Sequence, residues 1–119
     1  PRATYCQPEV ASLGLPEAKA IEAGYDVKIG RFPFLASGKA QGMGDREGLV
    51  KVVSNAEYGE ILGAHMIGPE VTELLGEVSV AQTLDGTVED LGMAIHPHPT
   101  LSEMLHESVL DAYDRVIHV

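Results

Sequence analysis

A histidine and a carboxylate stand five positions apart in the run Ile95-His96-Pro97-His98-Pro99-Thr100-Leu101-Ser102-Glu103, at the start of a predicted helix. That spacing is half of an acid–base site. An imidazole just ahead of a helix N-terminus faces the positive end of the helix dipole, which disfavours its charged form. A carboxylate in the first turn offsets this: Glu103 accepting a ring N–H of His98 fixes the tautomer and stabilises the imidazolium. The logic is that of the orienting acid in a triad, with the nucleophile absent. A plainer reading stands beside it, because Thr100-Leu101-Ser102-Glu103 is also a capping box. Glu103 would then reach back to the Thr100 N–H, a cap worth about 0.5–2 kcal/mol.

Metal binding is the rival chemistry. His96-x-His98 on an extended segment presents two nitrogens, and Glu103-x-x-His106 has the i, i+3 spacing of di-iron helices. A di-iron bundle needs that pair twice and two further acids, and Pro97 and Pro99 restrict the backbone, so no metal is assigned. His65 falls within a predicted strand, and His106, His118 and Tyr113 read as surface or packing residues. Cys6, the only cysteine, has neither a helix N-terminus nor a cation beside it to lower its pKa. No GxGxxG or P-loop pattern provides a nucleotide site.

The elements that must carry this run follow from hydrophobic period. Residues 2–7 and 10–15 read as two short strands separated by a turn at Gln7-Pro8-Glu9. Residues 16–23 open on Pro16 and stop at Gly24, a short capped helix. From Tyr25 to Phe34 the chain alternates, with Tyr25, Val27 and Ile29 on one face, and Pro33 suits a strand end or an edge. Four glycines, at 38, 42, 44 and 48, make residues 36–48 a connecting loop. Residues 49–53 and 61–67 flank a polar stretch as a β-hairpin with a longer turn.

Apolar residues at Val71, Leu74, Leu75, Val78, Ala81 and Leu84 then recur at helical spacing. A capping box, Thr87 with Asp90, opens a short helix through Leu91 and Met93. A last helix after Pro99 has Leu101, Met104, Leu105, Val109 and Ala112 on its apolar side. Strands first and helices last predict an α+β fold, a mostly antiparallel sheet covered by helices on one face.

Composition bounds the partners. The chain has 119 residues, 45% of them hydrophobic, which is enough for one domain with its own core. With 8 basic and 18 acidic residues, net −10, it lacks the basic patch that nucleic acid or an anionic membrane surface requires. A single cysteine excludes an internal disulfide framework, and no apolar run approaches the roughly 20 residues of a membrane span. A soluble, reducing compartment is expected, the cytoplasm or a mitochondrial matrix. The abrupt start at Pro1 without a methionine reads as a fragment of a longer chain.

Taken together, residues from Thr4-Tyr5 through Pro8-Glu9-Val10-Ala11-Ser12-Leu13-Gly14-Leu15, Gly24-Tyr25-Asp26-Val27-Lys28, Arg31-Phe32-Pro33-Phe34, Gly59 to His65, Ile67-Gly68-Pro69 and above all His96-x-His98-Pro99-Thr100-Leu101-Ser102-Glu103 carry a resemblance almost end to end. The chain resembles the C-terminal interface (dimerisation) domain of the dihydrolipoamide dehydrogenases, flavin-dependent pyridine nucleotide–disulfide oxidoreductases. Glutathione reductases look similar but tend to carry Ser at the position of Leu101, and mercuric reductases lack the histidine, so lipoamide is the better substrate class. The same domain of a glutathione reductase-like enzyme and a free-standing metal or binding module are the alternatives.

The resemblance implies a homodimer in which His98 reaches the partner subunit's active site. There it takes a proton from dihydrolipoamide as the substrate thiol attacks a redox-active disulfide, while Glu103 holds it in place and electrons pass through FAD to NAD. It also implies a cis peptide at His98-Pro99, with His98 and Pro99 near the partner's FAD and His96 in a supporting place. Further implied partners are the flavin and NAD domains of the parent chain and the lipoyl domains of 2-oxo acid dehydrogenase complexes. The dinucleotide-binding regions and the redox cysteine pair are outside this sequence. The fragment alone is therefore expected to bind no FAD or NAD and to be inactive, while residues 1–119, as a single interface domain, are expected still to dimerise. The apolar faces of the helices at 71–84 and 101–112 are the expected dimer contact.

Overall fold

The computed structural model describes residues 1–115 and residue 117. Its centre is one five-stranded sheet of order β1-β2-β5-β4-β3, every neighbouring pair antiparallel. The strands are β1 (Arg2–Thr4), β2 (Glu9–Gly14), β3 (Val27–Pro33), β4 (Leu49–Asn55) and β5 (Ile61–Gly68). Pro33 ends β3, an edge strand, where its missing N–H costs no ladder bond. The helices are α1 (Glu17–Glu22), α2 (Gly38–Met43), α3 (Val71–Thr83), α4 (Val88–Met93) and α5 (Ser102–Ala112). The α+β class and the antiparallel sheet are as the sequence predicts, but helices cover both faces rather than the one expected, because α1 packs on the side away from α3 and α5.

Two apolar layers follow from strand alternation. Ala11, Leu13, Phe32, Val50, Val52, Ala64 and Met66 face one side and are buried by Val71, Leu74, Leu75 and Val78 of α3 and by Met104, Leu105 and Val109 of α5. Val53, Leu62, Val27 and Ile29 face the other side, where Ala20 of α1 covers them. Both predicted helix stripes are thus spent on the chain's own core. This corrects the expectation that the apolar faces of these two helices form the dimer contact: those faces are largely buried within the chain, and of the predicted 71–84 stripe only Leu84, just past the end of α3, turns outward, joined by Val80.

The glycine-rich stretch is also corrected, because it is not a plain loop. A 3₁₀ turn (Phe34–Ala36) runs into α2, whose first turn is capped by the Ser37 hydroxyl accepting from the Ala40 N–H at 3.2 Å. Gly44 closes α2 at φ 74°, the left-handed conformation that suits a glycine past a helix end. Buried Ala40 pins the helix to the core. Two local glycines lower helix propensity, and the cap at one end with the αL stop at the other overcomes them.

On the α1 side, Arg31 of β3 and Lys51 of β4 are direct cross-strand partners, two like charges opposite each other. Glu17 lies between them, its Oε1 accepting from Lys51 Nζ at 2.9 Å and from Arg31 Nη2 at 3.4 Å. The hydrogen bond and charge of Lys51, with a smaller contribution from Arg31, hold the Glu17 carboxyl below the usual glutamate range. A carboxyl with a lowered folded-state pKa contributes stability that is present above its ordinary pKa, about 4.3, and is lost as pH falls through the lowered value. The melting-temperature gap between the unchanged chain and Glu17→Gln is accordingly expected to be present at neutral pH and to close in acid. A gap of constant size across an acid titration would contradict this.

No helix among the described residues is long and apolar enough to cross a membrane.

Candidate functional site

The segment bearing the two histidines runs between two helices, the first of them capped. Before it, α4 starts with the predicted capping box in both arms: Asp90 N–H donates to Thr87 Oγ1 at 3.1 Å and Thr87 N–H donates to Asp90 Oδ2 at 2.9 Å. After it, α5 packs on β3 and β4, with the Arg31 N–H of the edge strand donating to Asp111 at 2.8 Å. Between them, residues 94–100 cross the ends of both helices. The His98-Pro99 peptide is cis, as the resemblance implies, and so is Gln7-Pro8.

His98 and Glu103 meet. His98 Nδ1 lies 2.8 Å from Glu103 Oε1 and 3.2 Å from Oε2. An ionised carboxylate can only accept, so Nδ1 carries the proton and Nε2 presents its lone pair. Among the described residues nothing hydrogen-bonds Nε2, and the His98 side chain is 77% exposed. Glu103 Oε2 also accepts from the Thr100 N–H at 3.1 Å. One carboxylate therefore serves both readings of the sequence: it orients the imidazole and satisfies a backbone donor ahead of α5. The reciprocal arm of that box is absent. The Thr100 hydroxyl donates to the Pro97 carbonyl at 2.7 Å and sits 2.9 Å from Ser102 Oγ, leaving α5 with no side-chain cap of its own.

His96 points elsewhere. Its side chain is 8% exposed, and Nε2 lies 2.5 Å from Glu77 Oε1 on α3 while Nδ1 lies 3.2 Å from the Ala94 carbonyl. The ring also leans on that of His106, centroids 4.9 Å apart, and His106 Nε2 donates to the Gly92 carbonyl at 2.9 Å. The two predicted metal spacings do not converge, and among the described residues no three His, Cys, Asp or Glu side chains could hold a metal ion together. His65 is half-buried, donating from Nε2 to the Leu15 carbonyl at 3.1 Å, and half-buried Tyr113 packs against the core. His118 lies outside the described residues. Cys6 is exposed, its Sγ 2.9 Å from the Pro8 carbonyl.

Beside His98 runs a groove of about 600 Å³, lined among others by Phe32, Gln41, Met93, Ile95, His96 and Glu103. Its lip is apolar and open, with Ile95 98% and Met93 80% exposed and Leu35 close by in sequence to the groove wall at Ala36. Sequence reasoning missed this lip and also Glu77; neither has a local signal, since each depends on which element the fold brings alongside. A dinucleotide does not fit this chain as a resident group. Among the described residues the sheet is antiparallel throughout, so it has no parallel-strand switch point, and no glycine-rich turn leads from a strand into a helix N-terminus to receive a pyrophosphate. What the site can do chemically is offer one oriented, unpaired imidazole nitrogen backed by a carboxylate, next to an apolar lip.

Comparison with known proteins agrees with this architecture. The family model described as pyridine nucleotide-disulphide oxidoreductase, dimerisation domain, matches residues 1–109. The chain is 55% identical over 117 residues to a dihydrolipoyl dehydrogenase of Rhizobium etli, covering 98% of this chain and 24% of that protein. It is 54% identical over 118 residues to the dihydrolipoyl dehydrogenase of Zymomonas mobilis, covering 99% and 25%. The chain thus spans about a quarter of the length of these curated relatives. Among solved structures, LpdA of Mycobacterium tuberculosis superposes with TM-score 0.84 at 23% identity, covering 91% of this chain and 24% of that one. The HOCl-induced flavoprotein disulfide reductase RclA of Escherichia coli superposes with TM-score 0.86 at 24% identity, covering 91% and 25%. At those identities the structures speak for the fold. With its family model matched over residues 1–109 and more than half of its residues shared with curated relatives across nearly its whole length, the chain belongs to the dimerisation domains of the pyridine nucleotide-disulphide oxidoreductases.

Proposed function

We propose that residues 1–119 are the dimerisation domain of a longer flavoenzyme that oxidises dihydrolipoamide, and that the domain supplies the partner subunit's active site with a proton carrier, His98, oriented by Glu103. The observation that carries this reading is the pairing of an exposed, unpartnered Nε2 with an Nδ1 held 2.8 Å from a carboxylate. In the proposed step Nε2 takes the proton of a substrate thiol, and the thiolate left behind attacks one sulfur of a disulfide of the partner subunit, forming a mixed disulfide as the original S–S bond breaks and its other sulfur leaves as a thiolate. Glu103 stabilises the imidazolium until the proton is returned. Flavin and NAD belong to other parts of the parent chain, with Pro99 beside the partner's FAD. Lipoyl domains of 2-oxo acid dehydrogenase complexes are the proposed substrate carriers, in the cytoplasm or the mitochondrial matrix.

The apolar lip supports the homodimer. Ile95 and Met93 flank the histidine segment and are too exposed to serve the chain's own core, so a second copy that covers them also receives His98.

Glu103→Gln in the parent enzyme is expected to lower turnover per folded site by about tenfold or more, since an amide no longer stabilises the imidazolium. Glutamine keeps one acceptor oxygen for the two donors that the carboxylate serves, so one of the contacts, to His98 Nδ1 or to the Thr100 N–H, is lost at about 1 kcal/mol in unfolding free energy. Steady-state assays normalised to bound flavin, with a parallel urea titration, separate the two effects. A stability loss with unchanged turnover per site would leave Glu103 as a helix cap alone.

A further inference from the structure

We infer that Glu77, on α3, is a positioning residue that aims His98 by clamping His96. The inference rests on the reading of His98 as the proton carrier and names the group that holds that carrier's backbone. Glu103 fixes the His98 ring about its own side-chain bonds, and something else must fix where residues 94–100 lie. In the crossing between α4 and α5, the ring of His96 is the group that goes inward, 8% exposed, against the ring of His106. A buried imidazole needs partners for its polar atoms. Its Nε2 finds Glu77 Oε1, nineteen residues back in the chain and on the helix that covers β2 and β5, while Nδ1 has only the nearby Ala94 carbonyl. Among the described residues the Glu77 contact is thus the one polar tie from His96 to another element of the fold.

From His96 to His98 the chain has little freedom. Pro97 and Pro99 fix their own φ angles, and each restricts the residue before it to extended backbone. Two successive X-Pro steps make a stiff lever: with His96 anchored to α3 at one end and Glu103 receiving the ring at the other, His98 has one place to be. Released from Glu77, His96 would leave the interior and the lever would swing, separating His98 Nδ1 from Glu103.

The test reads the ring itself. The 119-residue chain, labelled with ¹⁵N, is compared with Glu77→Ala and Glu77→Met, which remove the acceptor, and with Glu77→Gln, which keeps a carbonyl oxygen. At alkaline pH, with the imidazoles neutral, ring nitrogen resonances report which nitrogen holds the proton. The unchanged chain is expected to show His98 as the Nδ1–H tautomer. Glu77→Ala and Glu77→Met should shift it toward the Nε2–H pattern of a solvent-exposed histidine, with the amide fingerprint of the sheet retained, and Glu77→Gln should restore it. Methionine keeps the apolar stem on α3, so a folded variant without an acceptor is available if alanine unfolds the chain. His98 resonances that stay in place in such a variant while those of His96 move would overturn the inference, as would an unchanged chain already showing the Nε2–H pattern. Because turnover is not measured, failure here leaves the proton-carrier reading standing, and failure of that reading leaves this result readable.

Discussion

Exchanging His98 for glutamine in the parent flavoenzyme is expected to reduce thiol-dependent turnover by about 10²- to 10⁴-fold, the range that a positioned general acid–base contributes. Glutamine keeps polar bulk at the position but offers no nitrogen that can take up a proton near neutral pH. The fold should not notice. The His98 side chain is 77% exposed, and a surface exchange usually shifts stability by no more than about 0.5 kcal/mol. Dimer and bound flavin are therefore expected to persist, which sedimentation velocity and the flavin spectrum would register. Turnover within a few-fold of the unchanged enzyme would remove His98 from the proton path.

Gly30→Ala carries the largest expected effect on folding. Gly30 sits in β3 with its face turned to α5, and a Cβ built there would lie 1.7 Å from the Ser108 carbonyl oxygen and 2.9 Å from the Ala112 nitrogen. Both are backbone atoms, so no rotamer change relieves the clash and α5 itself has to move. That helix buries Met104, Leu105 and Val109 against the sheet and takes the Arg31 N–H through Asp111. Overpacking of this kind costs about 3 kcal/mol or more, which for a domain of this size lowers the melting temperature by on the order of 10 °C. A calorimetric midpoint within two or three degrees (about half a kcal/mol) of the unchanged chain would show that α5 rides on β3 less tightly than described. Glu103 stands in the first turn of α5, so a folded residue of this variant should also show a loosened His98–Glu103 pair.

Local patterns carried much of this architecture. Alternation located β3, runs of apolar and β-branched residues broken by turn residues located the other four strands, and the turn between β4 and β5 followed from the polar stretch between them. Spacings of three and four marked the buried faces of α3 and α5, and the Thr87–Asp90 box formed in both arms because its partners are only three residues apart. What escaped depends on which surfaces the fold brings together. Alternation places Gly30 in a strand but does not say that a helix backbone presses on it. In α2, a serine cap and a glycine stop outweighed the low propensity of Gly38 and Gly42. Leu84 fits a helical stripe by spacing, yet the helix ends one residue short of it and the side chain turns to solvent.

At the site, His98 and Glu103 were legible because a five-residue spacing across a helix start leaves few other arrangements. Pro97, Pro99 and Thr100 were legible as backbone restraints, although the Thr100 hydroxyl turned to the Pro97 carbonyl rather than into the helix. Glu77 and the groove were not: the first rests on α3 meeting α5 through His96 and His106, the second on β3, α2 and α4 coming together beside α5.

Reconstitution tests the central claim, that this domain lends His98 to a site it does not itself contain. The chain would be combined with a flavin-loaded core of the parent enzyme lacking its dimerisation domain, and dihydrolipoamide-dependent reduction of NAD followed with association of the two pieces monitored in parallel. Activity is expected to appear on mixing and to be lost when the added chain carries His98→Gln. Associated pieces that stay silent with dihydrolipoamide, or that work equally well with His98→Gln, would contradict that claim.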